Sequence, residues 1–483
     1  MSASLERNSV KVRAGWLTGA LVCSLASPAW AQQVLIVEQL QQRLETLERL
    51  VGGTPPAEDG STGGEAGLAD LDQRLRILER RLELQQEEQV AKAKVTPVAT
   101  VSDKGVSLKS ADGNFEFKFR GLVQGDGRFF FDDDQLPQND TFLFRRIRPT
   151  IEGSLGKLIA FRLTPEFAGD SATIVDAYVD VKFDPAYTLR VGKVKGPIDI
   201  ERLQSGGATM LIERGFPTEL APNRDIGVQL QGDLAQERVS YVAGIYNGTP
   251  DGRDVATTNP DDEFEYAGRV FFEPFKNDAT AWSGLGFGIA GSIGDKRGSG
   301  NNFLPRYRTP GQLQFFNYRS AVIADGEHSR ISPQAYYYKG PFGVLIEYIE
   351  SQQELVIGAT RAELKNTAWQ AGVGYVLTGE DVSFRGVARP STPFNPTEGG
   401  WGAFEVLGRY GELDVDDAAF PLFADPALAA SKATAWTVGL NWYLSSNLKL
   451  MLNYLNTQFE GGAAGGADRP DEKAVFTRLQ VAF

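Results

Sequence analysis

At 483 residues the chain has room for two to four soluble domains or for one large barrel, and it is rich in Gly (53) and Phe (29). Its formal net charge of −13 at pH 7 argues against a nucleic-acid binder, and no internal run reaches the roughly 18 apolar residues that a membrane-crossing helix needs. A chain like this that spans a membrane must do so as a closed barrel, because lipid offers no partner to an unpaired backbone group.

The chain opens on an export signal. Arg7, Lys11 and Arg13 form a basic region, Trp16 to Ala26 an apolar core, and Ala29-Trp30-Ala31 a small-residue cleavage site. Residues 1–31 therefore read as a signal peptide. Cys23, the only cysteine, lies inside it; a lipid-anchored protein would carry a small residue just before that Cys, but Val22 stands there. Losing Glu6, Arg7, Lys11 and Arg13 removes a net +2, so −13 becomes −15 in a mature chain without thiols.

Residues 32–90 have helical spacing. Val37, Leu40, Leu44, Leu47 and Val51 step by three and four, and Leu68, Leu71, Leu75, Leu78 and Leu82 repeat the pattern. A Gly/Pro/Ser-rich linker at 52–67 separates the two runs. The charged outer faces leave no second seam, which points to self-association as a coiled coil; the alternative is one amphipathic hairpin folded back on itself. Residues 91–112 read as a linker, and 113–483 as the barrel.

From Phe115 the period becomes two. Phe115, Phe117 and Phe119 alternate with Glu116, Lys118 and Arg120, and Val175, Ala177, Val179 and Val181 with Asp176, Tyr178, Asp180 and Lys182. Segments of about ten residues, apolar on one face and polar on the other, are the pattern of a transmembrane barrel. Tight joins such as Gly156, Asp184 to Tyr187 and Leu444 to Asn447 alternate with long polar ones such as Asn247 to Asp262. The join Gly379 to Gly400 is long where a short turn is expected. With Gln312 to His328 taken as a hairpin inside an outer loop, the count is sixteen strands. The final stretch, KAVFTRLQVAF, puts Val475, Thr477, Leu479, Val481 and Phe483 on one face and Arg478 and Gln480 on the other. Ending on Phe resembles the terminal signature read by the outer-membrane assembly machinery.

One connection, Gly196 to Asn223, is long and partly apolar, with Ile198, Leu203, Met210, Leu211, Ile212 and Phe216. Such a loop suits the lumen, where it would bring Arg202, Glu213 and Arg214 to a constriction; the alternatives are a lid on the rim or a subunit contact. Strand phase turns Lys118, Arg120, Arg146, Arg148, Arg162 and Arg190 into the lumen. Arg145 shares the face of Ile147, so a lumenal role requires the rim or a bulge, and Lys193 is out of phase with Arg190. Glu116, Glu152, Glu166, Asp176 and Asp180 lie on the same inner faces. The only histidine, His328, falls in a polar stretch (DGEHSR) that reads as a surface loop. No metal-ligand spacing and no P-loop occurs, so neither an enzyme nor a cofactor is expected.

Several stretches, in order, resemble one family: Arg120-Gly121, Phe144-Arg145-Arg146, Val191 to Pro197, Ile212-Glu213-Arg214, Ala221 to Val228, Leu377 to Glu380, and Trp401 to Glu405 with Arg409-Tyr410. Together they are similar to the phosphate-selective porins O and P. The resemblance, which covers roughly Phe115 to Phe483, implies an all-β transmembrane barrel of about 16 antiparallel strands; the heptad runs outside it add an N-terminal periplasmic α-helical coiled-coil segment. It further implies a homotrimer in a Gram-negative outer membrane, in contact with lipid and lipopolysaccharide, passing phosphate, polyphosphate or related anions by diffusion. The basic constriction it implies maps to Arg120, to Arg145 and Arg146, and to Lys193 or Lys195. With the phase-selected Arg148, Arg162 and Arg190 and the loop residues Arg202 and Arg214, these are the candidate pore-lining residues. Two alternatives stay open: a general, weakly selective porin, and an envelope tether that touches the cell wall through the coiled coil.

Overall fold

The computed structural model describes residues 63–93, 96–131, 137–256, 258–298, 303–387 and 389–483. The signal region and the first heptad run, Val37 to Val51, lie outside the described residues. The chain divides into two compact units, Met1–Glu87 and Glu88–Phe483.

The first unit, as far as it is described, is helical: α1 spans Gly63–Ala93. Arg74 and Arg76 pair with Asp70 and Asp72 one turn earlier, at 2.8 and 2.9 Å. Leu75, Leu78 and Leu82 of the expected seam are each about half exposed in the single chain. The helix starts inside the stretch expected to be linker.

The second unit is the barrel. Its elements are β1 (Val98–Ser102), β2 (Gly105–Lys109), β3 (Phe115–Phe131), β4 (Thr141–Leu155), β5 (Ile159–Glu166), β6 (Thr173–Asp184), β7 (Tyr187–Val194), β8 (Asp225–Leu234), β9 (Val239–Tyr246) and β10 (Glu265–Phe272). They continue with β11 (Leu285–Arg297), β12 (Arg306–Arg308), β13 (Gln314–Asn317), β14 (Ile323–Lys339), β15 (Phe342–Ile357), β16 (Thr360–Val376), β17 (Val382–Ser383), β18 (Gly386–Val387), β19 (Ala403–Asp414), β20 (Ala430–Tyr443), β21 (Leu448–Gly461) and β22 (Glu472–Ala482). Sixteen of these strands, β3 to β11, β14 to β16 and β19 to β22, pair antiparallel with their neighbours, and β22 closes the ring on β3.

Alternation decides the two surfaces. On β22, Leu479 and Val481 are exposed, while Glu472, Ala474, Phe476, Arg478 and Gln480 are buried toward the lumen. Phe483 extends the seam past β22: its N–H and carbonyl pair with Gly121 at 3.0 and 2.8 Å. A Cβ on Gly121 would stand 2.4 Å from the Phe483 ring, so the close approach requires glycine.

Residues 98–109, expected to be linker, form the β1–β2 hairpin instead. β2 pairs with β3 over Glu116 to Phe119, the part of the β3 edge that β22 does not reach. That pairing depends on where β22 ends, more than 350 residues away by number, and is invisible to a local pattern.

The outer-loop hairpin is also shifted. It is β12–β13, and β14 begins at Ile323, so His328 is a strand residue with no exposed surface rather than a surface histidine. The residues that read as loop, Asp325-Gly326-Glu327, are a bulge with Gly326 at φ +123°, after which pairing resumes at His328↔Gln353. His328 Nε2 lies 2.9 Å from Ser351 Oγ and 3.4 Å from Asp251, and Arg330 faces its other nitrogen at 3.4 Å. Because one ring nitrogen faces both the hydroxyl and the carboxylate, the group is a buried polar network and not a catalytic relay.

The loops at the long-loop rim supply an apolar core of their own. Tyr307, Leu313, Phe315 and Phe316 of the β12–β13 hairpin pack with Ala419 and Phe423 of the β19–β20 loop and with Phe216, against Ile349, Leu364 and Leu413 of the wall.

Candidate functional site

The chain leaves β7 through Gly196-Pro197, where proline lacks the N–H that would continue the ladder. Asp199 then caps a short helix, α2 (Ile200–Leu203), by accepting from the Arg202 N–H at 3.0 Å. From there the loop crosses the lumen. The Ile200 N–H donates to Glu347 on β15 at 2.9 Å, and Gln370 on β16 and Arg409 on β19 both donate to Glu201, at 3.0 and 3.2 Å. Asn441 on β20 donates to the Met210 carbonyl at 3.0 Å, and Asn453 on β21 accepts from the Ile212 N–H at 2.8 Å. Arg478 on β22 donates to the Ile212 carbonyl at 2.7 Å, and Gln124 on β3 to the Gly206 carbonyl at 2.9 Å. A lid resting on the rim would not reach this many lumenal side chains. The apolar residues Ile198, Ile200, Leu211, Ile212 and Phe216 are correspondingly buried.

Where the loop meets β3, β4 and β22, charge is concentrated. Pairing between β3 and β4 steps from Gln124↔Arg146 to Gly125↔Phe144, leaving Arg145 as the extra residue of a bulge. The bulge turns its guanidinium to Glu213, with contacts of 2.6 and 3.1 Å. Arg128 reaches the same carboxylate at 2.7 Å and Arg478 at 3.5 Å, and Arg478 also bonds twice to Asp126, at 2.6 and 2.8 Å. Burial alone would push Glu213 up, but Arg145, Arg128 and Arg478 hold it well below the usual carboxylate range.

A second group of cations has no direct ion pair. Arg146 is 3% exposed; it donates to Gln124 Oε1 at 2.6 Å, and its Nε has no hydrogen-bond partner. A Cβ on Gly206 would stand 3.0 Å from that Nε, so a larger residue there would press on this arginine. Lys195 donates to the carbonyls of Leu203 and Gln204 at 3.3 and 2.7 Å, and Arg214 to those of Glu201 and Gln204, both at 3.1 Å. Lys449 on β21 faces the Gly207 carbonyl at 3.4 Å. Among the described residues, none of these four forms an ion pair with a carboxylate. Burial, then the nearby Arg214 and Arg224, push the Lys195 ammonium well below its ordinary value, and burial with Arg202 brings Arg214 down to about 9.

The remaining candidates divide by partner. Arg120 and Arg162 share Glu152 at 3.0 and 2.7 Å, and Arg148 pairs with Glu166 at 2.5 Å. Arg190 is held by Asp180 at 2.6 Å and lies over the Tyr178 ring, 3.9 Å from its centre. Lys193 lies opposite Ala177 and Ile226, on the outward face of β7 with Val191, so Lys195 is the lumenal lysine of the two. Arg202 does not line the pathway: it is buried within the loop, bonded to Asn223 Oδ1 and the Thr218 carbonyl, each at 2.5 Å.

Beneath the loop lies a chamber of about 790 Å³ that joins Arg120, Arg148, Arg162 and Lys195 to Arg224, Arg385 and Lys449, with Asp103 and Asp176 as its acids. The last three cations were missed from sequence. Lys449 and Arg478 occupy polar positions of strands already recognised as alternating, so phase alone pointed to them. Arg224 stands one residue before β8, and Arg385 at the tip of β17–β18 in the long join Gly379 to Gly400. That join folds up into the lumen, where the Phe384 carbonyl accepts from Gln204 of the loop at 2.8 Å.

The family model described as phosphate-selective porin O and P matches residues 116–483. Porin O of Pseudomonas aeruginosa is 24% identical over 420 residues, covering 78% of this chain and 91% of that protein. The outer membrane channel DcaP of Acinetobacter baumannii has the same fold at a TM-score of 0.50 and 13% identity, covering 78% of this chain and 99% of that one. An anion-selective porin from Comamonas acidovorans aligns at a TM-score of 0.46 and 12% identity, over 76% of this chain and all of that one.

Proposed function

The chain belongs to the phosphate-selective porin O and P family, and from that premise we propose that it passes phosphate, polyphosphate or related small anions by diffusion past its inward loop. It is a porin of a Gram-negative outer membrane, built as a closed sixteen-stranded barrel. The observation that carries the anion assignment is the set of buried cations without an ion pair, Arg146, Lys195, Arg214 and Lys449. A buried cation without a counter-charge is unfavourable, and a transient oxyanion offsets that penalty. Guanidinium groups present paired donors to phosphate oxygens, while the absence of a closed cage lets the ion leave. The reversal potential across a chloride gradient in planar bilayers tests this; a channel that prefers potassium to chloride would falsify it.

One observation favours a general, weakly selective porin as the second reading. Arg120, Arg148, Arg162 and Arg190 are all tied to carboxylates, so the wall presents mixed charge rather than a continuous basic track. Measured phosphate block of the chloride current separates the two readings. The assembly we propose is a homotrimer in which three α1 helices bring their Leu75, Leu78 and Leu82 seams together on the periplasmic side. The half-exposed seam of the single helix supports that arrangement.

A further inference from the structure

The chamber beneath the loop is lined by unlike groups. Arg120, Arg148 and Arg162, each paired with Glu152 or Glu166, line it together with Lys195, which has no ion pair; Leu203 of the loop and Phe384 and Val387 of the inward-folded turn, all partly exposed, supply its apolar wall, with Arg385 between the last two. The apolar wall is firmly built. The Phe384 ring stacks on Tyr336 at 5.3 Å, Tyr336 lies 5.0 Å from Phe271, and the Phe384 carbonyl is tied to Gln204. Inorganic phosphate is hydrated on every side and gains nothing from such a surface. The chamber's volume of about 790 Å³ falls in the range of roughly 300–1,000 Å³ typical of sites for small organic molecules.

Resting on the anion assignment above, we infer that the chamber favours organic phosphates: the phosphoryl head against the Arg120–Lys195 wall and an aromatic or short aliphatic group against Leu203, Phe384 and Val387. The inward-folded turn is then the element that sets substrate class, whereas the cations set charge.

The test uses the full-length protein in planar bilayers, with the chloride current blocked either by inorganic phosphate or by phenyl phosphate. Phenyl phosphate is expected to reach half-block at a concentration about tenfold lower, because its ring leaves water for the apolar wall. Phe384→Ala and, separately, Val387→Ser should narrow that ratio to about twofold. Equal half-blocking concentrations in the unaltered channel overturn the inference, as does a ratio that survives both substitutions. No block by phenyl phosphate in a channel that still prefers chloride also overturns it while leaving the anion assignment standing. A preference for potassium removes the assignment beneath it as well.

Discussion

Arg146 and Arg120 look alike in sequence, each an inward arginine on one of the first two barrel strands, but their surroundings differ. Arg120 shares Glu152 with Arg162, whereas Arg146 has only the Gln124 amide and an unpartnered Nε. Neutralising Arg146 therefore removes free positive charge, while neutralising Arg120 leaves Glu152 with its second arginine. Arg146→Gln is expected to raise the half-blocking phosphate concentration about tenfold, the scale of one charge-assisted hydrogen bond, and Arg120→Gln to raise it less. The ranking fails if Arg120→Gln has the larger effect in the same bilayer measurement. Lys195 adds a pH dependence. Its ammonium titrates well below the ordinary lysine value because it is buried among Arg214 and Arg224, so it carries charge at low pH and loses it as pH rises, earlier than an exposed lysine would. Anion preference should decline as pH is raised, and Lys195→Arg should move that decline to higher pH, since a guanidinium holds its proton more tightly than an ammonium in the same surroundings. Reversal potentials between pH 6 and pH 10 read both effects.

The inward loop is the element on which the lumen depends, and Glu213 is its principal clasp. Arg128, Arg145 and Arg478 converge on that carboxylate; Arg128 and Arg478 also hold Asp126, so Glu213→Gln leaves Arg145 without its ion pair, at a penalty of about 1–3 kcal/mol. The expected result is a loop that dislodges within an intact barrel: larger, noisier single-channel currents with unchanged heat-resistant migration. Currents as quiet as those of the unaltered channel would show that the remaining wall contacts hold the loop alone. The loop's course was legible in sequence because Ile198, Leu211, Ile212 and Phe216 have no use at an aqueous surface. The period of two likewise disclosed which strand residues face inward. Arg145 was legible only as an exception, since a bulge is set by pairing between β3 and β4 and leaves no periodic trace. His328 was misread for the same reason: Asp325-Gly326-Glu327 has the composition of a turn but occupies the middle of paired strands. The β1–β2 hairpin and the inward turn carrying Phe384 and Arg385 were hidden because their partners, β3 and the loop, are distant in sequence. Whether a guanidinium is free or already paired depends on rotamers and on neighbouring strands, which alternation does not encode.

At the scale of the molecule, the barrel is complete without the helical segment, because β3 and β22 close the ring between themselves. Deleting residues 32–94 is expected to leave a conducting, anion-preferring channel, with any change confined to the detergent resistance of the proposed trimer. A correctly inserted deletion variant with no conductance would make the segment part of the pore. The long-loop rim carries a different consequence. Because Tyr307, Phe315 and Phe316 of one loop and Phe423 of another are core residues, those segments have lost the freedom to diverge that surface loops normally enjoy. The loop between β21 and β22 has kept it: Ala464, Gly465 and Gly466 are exposed, and a Cβ on either of those glycines would meet nothing. A short epitope inserted after Gly465 should appear on intact cells and be bound by antibody there, while the same epitope after Leu313 should abolish surface display altogether. The face that this protein shows to antibodies and phage is thus free to drift only in patches, and those patches are the loops that take no part in filling the barrel.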